Sequence, residues 1–98
     1  MEINKKLEGE TLTLAVSGRV DTMTAPQLEA ELKRSVDGVK ALIFDFAGVE
    51  YISSAGLRVL LAAYRVMTRQ GSMKITGANE SVMEVFEITG MTDILTLE

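Results

Sequence analysis

The run ISSAGLR at residues 52–58 sets two serines, Ser53 and Ser54, between an apolar segment and the start of a helical pattern. A hydroxyl in that setting has three uses: nucleophile, helix cap, or acceptor of a charged group. A serine nucleophile needs a partner to take its proton, and the chain has no histidine. The strand-to-helix nucleophile elbow also requires glycine two positions before the serine, where Ile52 stands before Ser54. A Ser-Lys pair would need a desolvated lysine, and neither Lys40 nor Lys74 has a sequence setting that marks it as one. No residue is assigned a catalytic role, and the expectation is that the chain is not an enzyme.

The other two uses share one geometry. A serine just before an apolar helix accepts a hydrogen bond from an unpaired backbone N–H, a contact that contributes about 0.5–2 kcal/mol. Either Ser53 or Ser54 fits that role. The same helix start carries partial positive charge and free donors, so it tolerates an anion. A phosphate there would add about −1.5 to −2 charges and impose desolvation and repulsion on a partner packed against it, while the domain stays folded.

The flanking elements must position these serines. Ile3–Leu7 reads as a short strand, residues 8–10 as a turn, and Thr11–Ser17 as a second strand with Leu12, Leu14 and Val16 on one face. Residues 18–22 read as a loop. Leu28, Leu32 and Val36 recur four apart, as on one face of a helix that Gly38 would stop. Thr24 and Gln27 have capping-box spacing, but Pro26 leaves the cap open between Thr24 and Ala25. ALIFDF at 41–46 reads as a strand buried on both faces, with Asp45 the exception. From Ser54 to about Gln70, Leu57, Leu60, Leu61, Tyr64 and Met67 form an apolar stripe; Arg58, Arg65 and Arg69 lie mostly away from it. SMKIT at 72–76 is a further strand, Asn79 or Ser81 caps a third helix carrying Val82, Val85 and Phe86, and Gly90 with Met91 fits its stop. ILTL at 94–97 closes the pattern as a last short strand. The order β-β-α-β-α-β-α-β predicts an α/β fold with a parallel or mixed sheet.

Composition narrows the function. The 98 residues suffice for one small domain, and 47% hydrophobic with 24% charged residues is ordinary globular usage. Fourteen acids against ten bases give a net charge of −4 with no basic cluster, a poor match to nucleic acid. No apolar run is long enough to span a bilayer, and the N-terminus lacks the apolar core of a signal peptide. The absence of cysteine and histidine excludes the usual zinc sites, and no EF-hand spacing or phosphate-binding glycine loop with its lysine is present. These points predict a cytoplasmic protein that does not engage a membrane and needs no metal or cofactor.

VEYISSAGLRVLL at 49–61 resembles the signature of STAS domains, specifically bacterial anti-sigma factor antagonists. LAVSGRVDTMTAPQLEAEL at 14–32 resembles the second signature of that family, a strand ending in G-x-[LIV]-D before the first helix, and LIFDFAGVEYI resembles its apolar strand before the serines. The resemblance runs through nearly the whole chain, taken as one STAS domain over residues 1–98. It implies a sheet of four or five strands with helices mainly on one side. It also implies a partner-switching regulator: unphosphorylated, it binds an anti-sigma factor that is also a serine kinase, and the sigma factor is freed. Phosphorylation ends the binding, and a PP2C-type phosphatase restores it. By position the phosphoacceptor is Ser54, with Ser53 second. Asp21 matches the family aspartate near that serine, and Gly56 and Leu57 match the pair that lets a partner approach the helix start. Many relatives carry aspartate where Ser53 stands, which shifts recognition toward Asp21 and Glu50, although Glu50 reads more simply as a solvated charge. Arg58, four residues beyond Ser54, is either solvated or placed to pair with a phosphate there. A STAS scaffold or regulator in a pathway without a sigma factor is the alternative.

Overall fold

The structure, a computed structural model, describes all residues from Met1 to Glu98. Its elements are β1 (Glu2–Glu8), β2 (Thr11–Val20), α1 (Ala25–Ser35), β3 (Ala41–Ile52), α2 (Ser54–Gln70), β4 (Ser72–Thr76) and α3 (Glu80–Ile88), followed by one 3₁₀ turn at Met91–Asp93. The sheet order is β1-β2-β3-β4. The hairpin β1–β2 is antiparallel, and β2–β3 and β3–β4 are parallel, joined by crossovers through α1 and α2.

Alternation in β2 places Leu12, Leu14 and Val16 on the buried face, where they meet Leu42, Phe44 and Phe46 of β3 and Met73 and Ile75 of β4. Leu28 and Leu32 of α1, Leu57, Leu60 and Met67 of α2, and Val82 and Phe86 of α3 complete one continuous core. The opposite sheet face carries Thr11, Thr13, Ala15, Ile43, Asp45 and Lys74, all partly exposed. Residues 41–46 are therefore covered on one face only. The continuous apolar run suggested burial on both, but Ala41 and Ile43 take the outer positions and Asp45 stays near solvent, its Oδ1 accepting from the Ala47 N–H at 3.0 Å.

Two further expectations are corrected. Residues 18–20 continue β2 instead of forming a loop, and β3 extends to Ile52. Register shifts between Ala15 and Ser17 and between Gly18 and Arg19 let β3 advance two residues more than β2, so its buried positions fall at Phe46, Val49 and Ile52. Period 2 gives way to period 3 there, as bulges require. The last strand contracts to one parallel bridge between Ile75 and Leu97, held by Ile75 N–H to Thr96 O at 2.9 Å and Glu98 N–H to Ile75 O at 2.9 Å. Ile94, expected inside that strand, closes the 3₁₀ turn, and Leu95 is buried.

Candidate functional site

The parallel pair β2–β3 ends with Val20 opposite Ile52, and both strands release their chains on the same side of the molecule. Crevices at the C-terminal ends of parallel strands are where open α/β sheets build sites. The Val20 carbonyl accepts from the Ser53 N–H at 2.8 Å, which ties the turn after β2 to the start of α2.

Ser53 is the cap of α2. Its extended backbone, φ −100° and ψ 176°, turns the chain into the helix, and its Oγ accepts from the Gly56 N–H at 3.5 Å, a long bond. Ser54 is the first helical residue. It is exposed, and its hydroxyl has no partner among the side-chain hydrogen bonds of the chain. The two roles that the sequence left between the serines therefore fall on different residues. No acidic side chain occupies the first turn of α2.

Gly56 faces inward. A Cβ there would lie 2.8 Å from Val20 Cγ1, 2.8 Å from Ile52 Cγ1 and 3.1 Å from Val20 O, so only glycine lets α2 settle this closely on the strand ends. Leu57 is 6% exposed and belongs to the core. Both are packing positions that fix the height and pitch of the helix start, so a part in letting a partner approach would run through that seating, and the exposed surface belongs to Ser54, Arg58 and the turn after β2.

That turn is organised by Asp21. Its Oδ1 accepts from the N–H of Met23 at 3.0 Å and of Thr24 at 3.1 Å. Thr24 Oγ1 in return accepts from the Asp21 N–H at 2.9 Å and donates to Arg19 O at 2.8 Å. Thr24 thus sits at the cap position of α1 without side-chain capping, and the Thr24–Gln27 capping box does not form, because Asp21 engages the threonine first. Desolvation pushes the Asp21 carboxyl upward, but the hydrogen bonds from Thr24 and Met23, with Arg19 Nε at 3.5 Å, outweigh it and hold the pKa below the usual carboxylate value. Arg19 also stacks on the Tyr51 ring at 4.4 Å, an exposed contact between β2 and β3. The sequence reading missed this contact and the role of Thr24; the signal for the latter was the three-residue spacing from Asp21. Glu50 is exposed and in no ion pair. Arg58 is exposed on the second turn of α2 and lines a groove between α1 and α2 with Thr22, Pro26, Glu29 and Ala55. The structure so gathers Asp21, Ser53, Ser54 and Arg58 around one end of the sheet.

A STAS domain model matches residues 2–98. The chain belongs to the STAS domain family. It is 42% identical over 91 residues to BtrV of Bordetella bronchiseptica, named as a candidate anti-sigma factor antagonist, with 91% of this chain and 78% of that one covered. The crystal structure of an anti-sigma factor antagonist from Mycobacterium paratuberculosis superposes with a TM-score of 0.90 at 26% identity, over 98% of this chain and 83% of that one. SpoIIAA of Bacillus, solved in its phosphorylated form, superposes with a TM-score of 0.76 over 99% of this chain and 91% of that one; at 17% identity it speaks for the fold alone. STAS antagonists of this kind are regulatory binding proteins and not enzymes. No helix of this STAS domain is long and apolar enough to cross a membrane.

Proposed function

We propose that this STAS domain is a cytoplasmic anti-sigma factor antagonist switched by phosphorylation of Ser54. Unphosphorylated, it binds an anti-sigma factor that is also a serine kinase, and the sigma factor is released. The kinase transfers the γ-phosphoryl group of ATP to Ser54 Oγ, ADP leaves, and the hydroxyl proton passes to the kinase. A PP2C-type phosphatase then delivers water to the phosphorus, returning the hydroxyl and releasing inorganic phosphate. Asp21 holds the neighbouring turn in shape for the partner, and Arg58 borders the same surface.

The observation that carries this reading is the division of labour at the helix start. Ser53 caps, while Ser54 is exposed with an unengaged hydroxyl, so a phosphate on Ser54 displaces no hydrogen bond of the fold. The likeness to named antagonists supports the same reading.

The test is mass spectrometry after incubation with the anti-sigma factor kinase of the same bacterium, ATP and Mg²⁺. Wild type and Ser53→Ala acquire one phosphate, and Ser54→Ala acquires none. Undiminished phosphorylation of Ser54→Ala would overturn the assignment. Ser54→Asp folds, and its binding to the kinase is lost.

A further inference from the structure

We propose that the exposed side of α2 is a docking ridge for an acidic, amphipathic segment of the partner protein, with Ser54 at its head. This rests on the antagonist reading above and gives the chemistry of the partner's surface. α2 carries Arg58, Arg65 and Arg69 and no aspartate or glutamate, in a chain whose net charge is −4. Steps of seven and four residues return a helix to nearly the same side, so the three guanidinium groups form one line that continues from Ser54. All three residues are exposed, and none has a carboxylate within ion-pairing reach. Of the seven other basic side chains, Lys5, Lys6, Arg19, Lys33, Arg34 and Lys74 each have one, and Lys40 alone does not.

The stability of the helix does not account for this line. Arg69 suits the negative C-terminal end of α2, but Arg58 stands near the positive end, where a cation opposes the dipole. The apolar surface beside the ridge supplies the second half of the argument. A groove follows the α1–α2 seam from Thr22 and Ala55 to a stretch lined by Leu32, Val36, Val59, Ala62 and Val66, with Glu29 on its α1 rim neutralised by its ion pair with Lys33. A cationic line flanking an apolar groove fits a partner segment with an apolar stripe and acidic residues along one edge. The groove begins at Ala55 and the ridge at Arg58, one residue and one turn from Ser54, so the partner segment reaches Ser54 with its end. A phosphate on Ser54 acts twice there: it repels the acidic edge and draws Arg58, four residues on, out of the ridge.

The test measures association of the purified anti-sigma factor kinase with wild type, R65E/R69E and R65Q/R69Q across ionic strength, with circular dichroism melts as folding controls. Both pairs lie two or more turns from Ser54, so loss of the phosphoacceptor does not enter. The ridge predicts association at least about tenfold slower for R65E/R69E at low salt, a smaller loss for R65Q/R69Q, and a flatter salt dependence for both. Should R65E/R69E melt early, R65Q/R69Q carries the comparison. Unchanged association and salt dependence, with wild type still bound and phosphorylated, would overturn the ridge and leave the antagonist reading intact. A kinase that neither binds nor phosphorylates wild type overturns both. Two other occupants are checked in parallel: a second copy, through Glu80, Glu84 and Glu87 of α3, by sedimentation, and vesicles of phosphatidylglycerol by flotation. Either one lost in R65E/R69E while kinase binding is unchanged reassigns the surface and overturns the proposal.

Discussion

α2 and α3 begin alike. Each follows a parallel strand, each is entered through an extended cap residue, and each cap is a polar side chain. Position by position they then diverge. Asn79 caps α3 tightly, accepting from the Val82 N–H at 2.8 Å and donating its amide to Val49 O at 3.0 Å, whereas Ser53 caps α2 at 3.5 Å. The first helical residue is Glu80 in α3 and Ser54 in α2. The third is a buried Val82 in α3 and Gly56, with no room for a Cβ, in α2. The start of α3 is electrically complete: a carboxylate meets the positive end of its dipole. The start of α2 is pressed closer to the sheet and left without an anion. Phosphorylation of Ser54 would give α2 what α3 already has in its sequence.

The comparison breaks first at the third helical position. Gly56→Ala drives a methyl group against Val20 and Ile52 and lowers stability by about 1–3 kcal/mol in urea denaturation. Val82→Ala instead empties space, so a stabilised Gly56→Ala would show that α2 is not held close at all. The caps come next. Asn79→Ala costs about 1–2 kcal/mol, since it removes two well-formed bonds, and Ser53→Ala about 0.5 kcal/mol, at the weak end for caps. Equal losses would erase the distinction between the two starts.

At the first helical position the signs oppose. Glu80→Gln destabilises and Ser54→Asp stabilises, each by about 0.3–1 kcal/mol at low salt, and both effects fade in high salt. Thermal melts in two salt concentrations check this, and a salt-insensitive Ser54→Asp would count against an unfilled dipole. The smallest effect is the acid limb of Asp21. Its folded pKa lies below the unfolded value of about 3.9, so its contribution is present above that value and lost as pH falls through the folded pKa. Asp21→Asn therefore shows a shallower loss of stability on acidification than wild type below about pH 4. Glu31, also held low, first by the Ser35 hydroxyl and further by Lys5 and Arg34 against some desolvation, keeps an acid slope in both proteins, so the difference between the curves is the readout.

The sequence was most readable where one local rule governed. Leu12, Leu14 and Val16 gave β2 its period, and the span Ser54–Gln70 was legible because apolar spacing and a serine start agreed. It was least readable where another strand set the pattern. Residues 18–20 and 47–52 look irregular alone, because their register shifts exist only in the pairing of β2 with β3. The site followed the same rule. The serines' place before the helix was legible, but which one caps depends on the dihedrals of Ser53. Gly56 matched a family motif, yet its reason, the approach of Val20 and Ile52, lies across the sheet. Thr24, one of the two candidates for the cap of α1, gives its hydroxyl to Asp21 and Arg19 instead, a contest between two local motifs that spacing alone does not decide.

The seating of Gly56 against Val20 has a consequence for timing. A signal read through movement of an element carries a delay, because that element must cross a barrier each time the state changes. Under the proposed switch, the residue that would carry the mark, Ser54, stands on a helix start held to the end of the sheet by the Ser53 N–H to Val20 O bond and by the absence of a side chain at Gly56. A phosphate written there would act as a label on a face tied to the sheet, and its reading would need no movement of that face. The pace of such a relay would be set by how often its enzymes and partners meet.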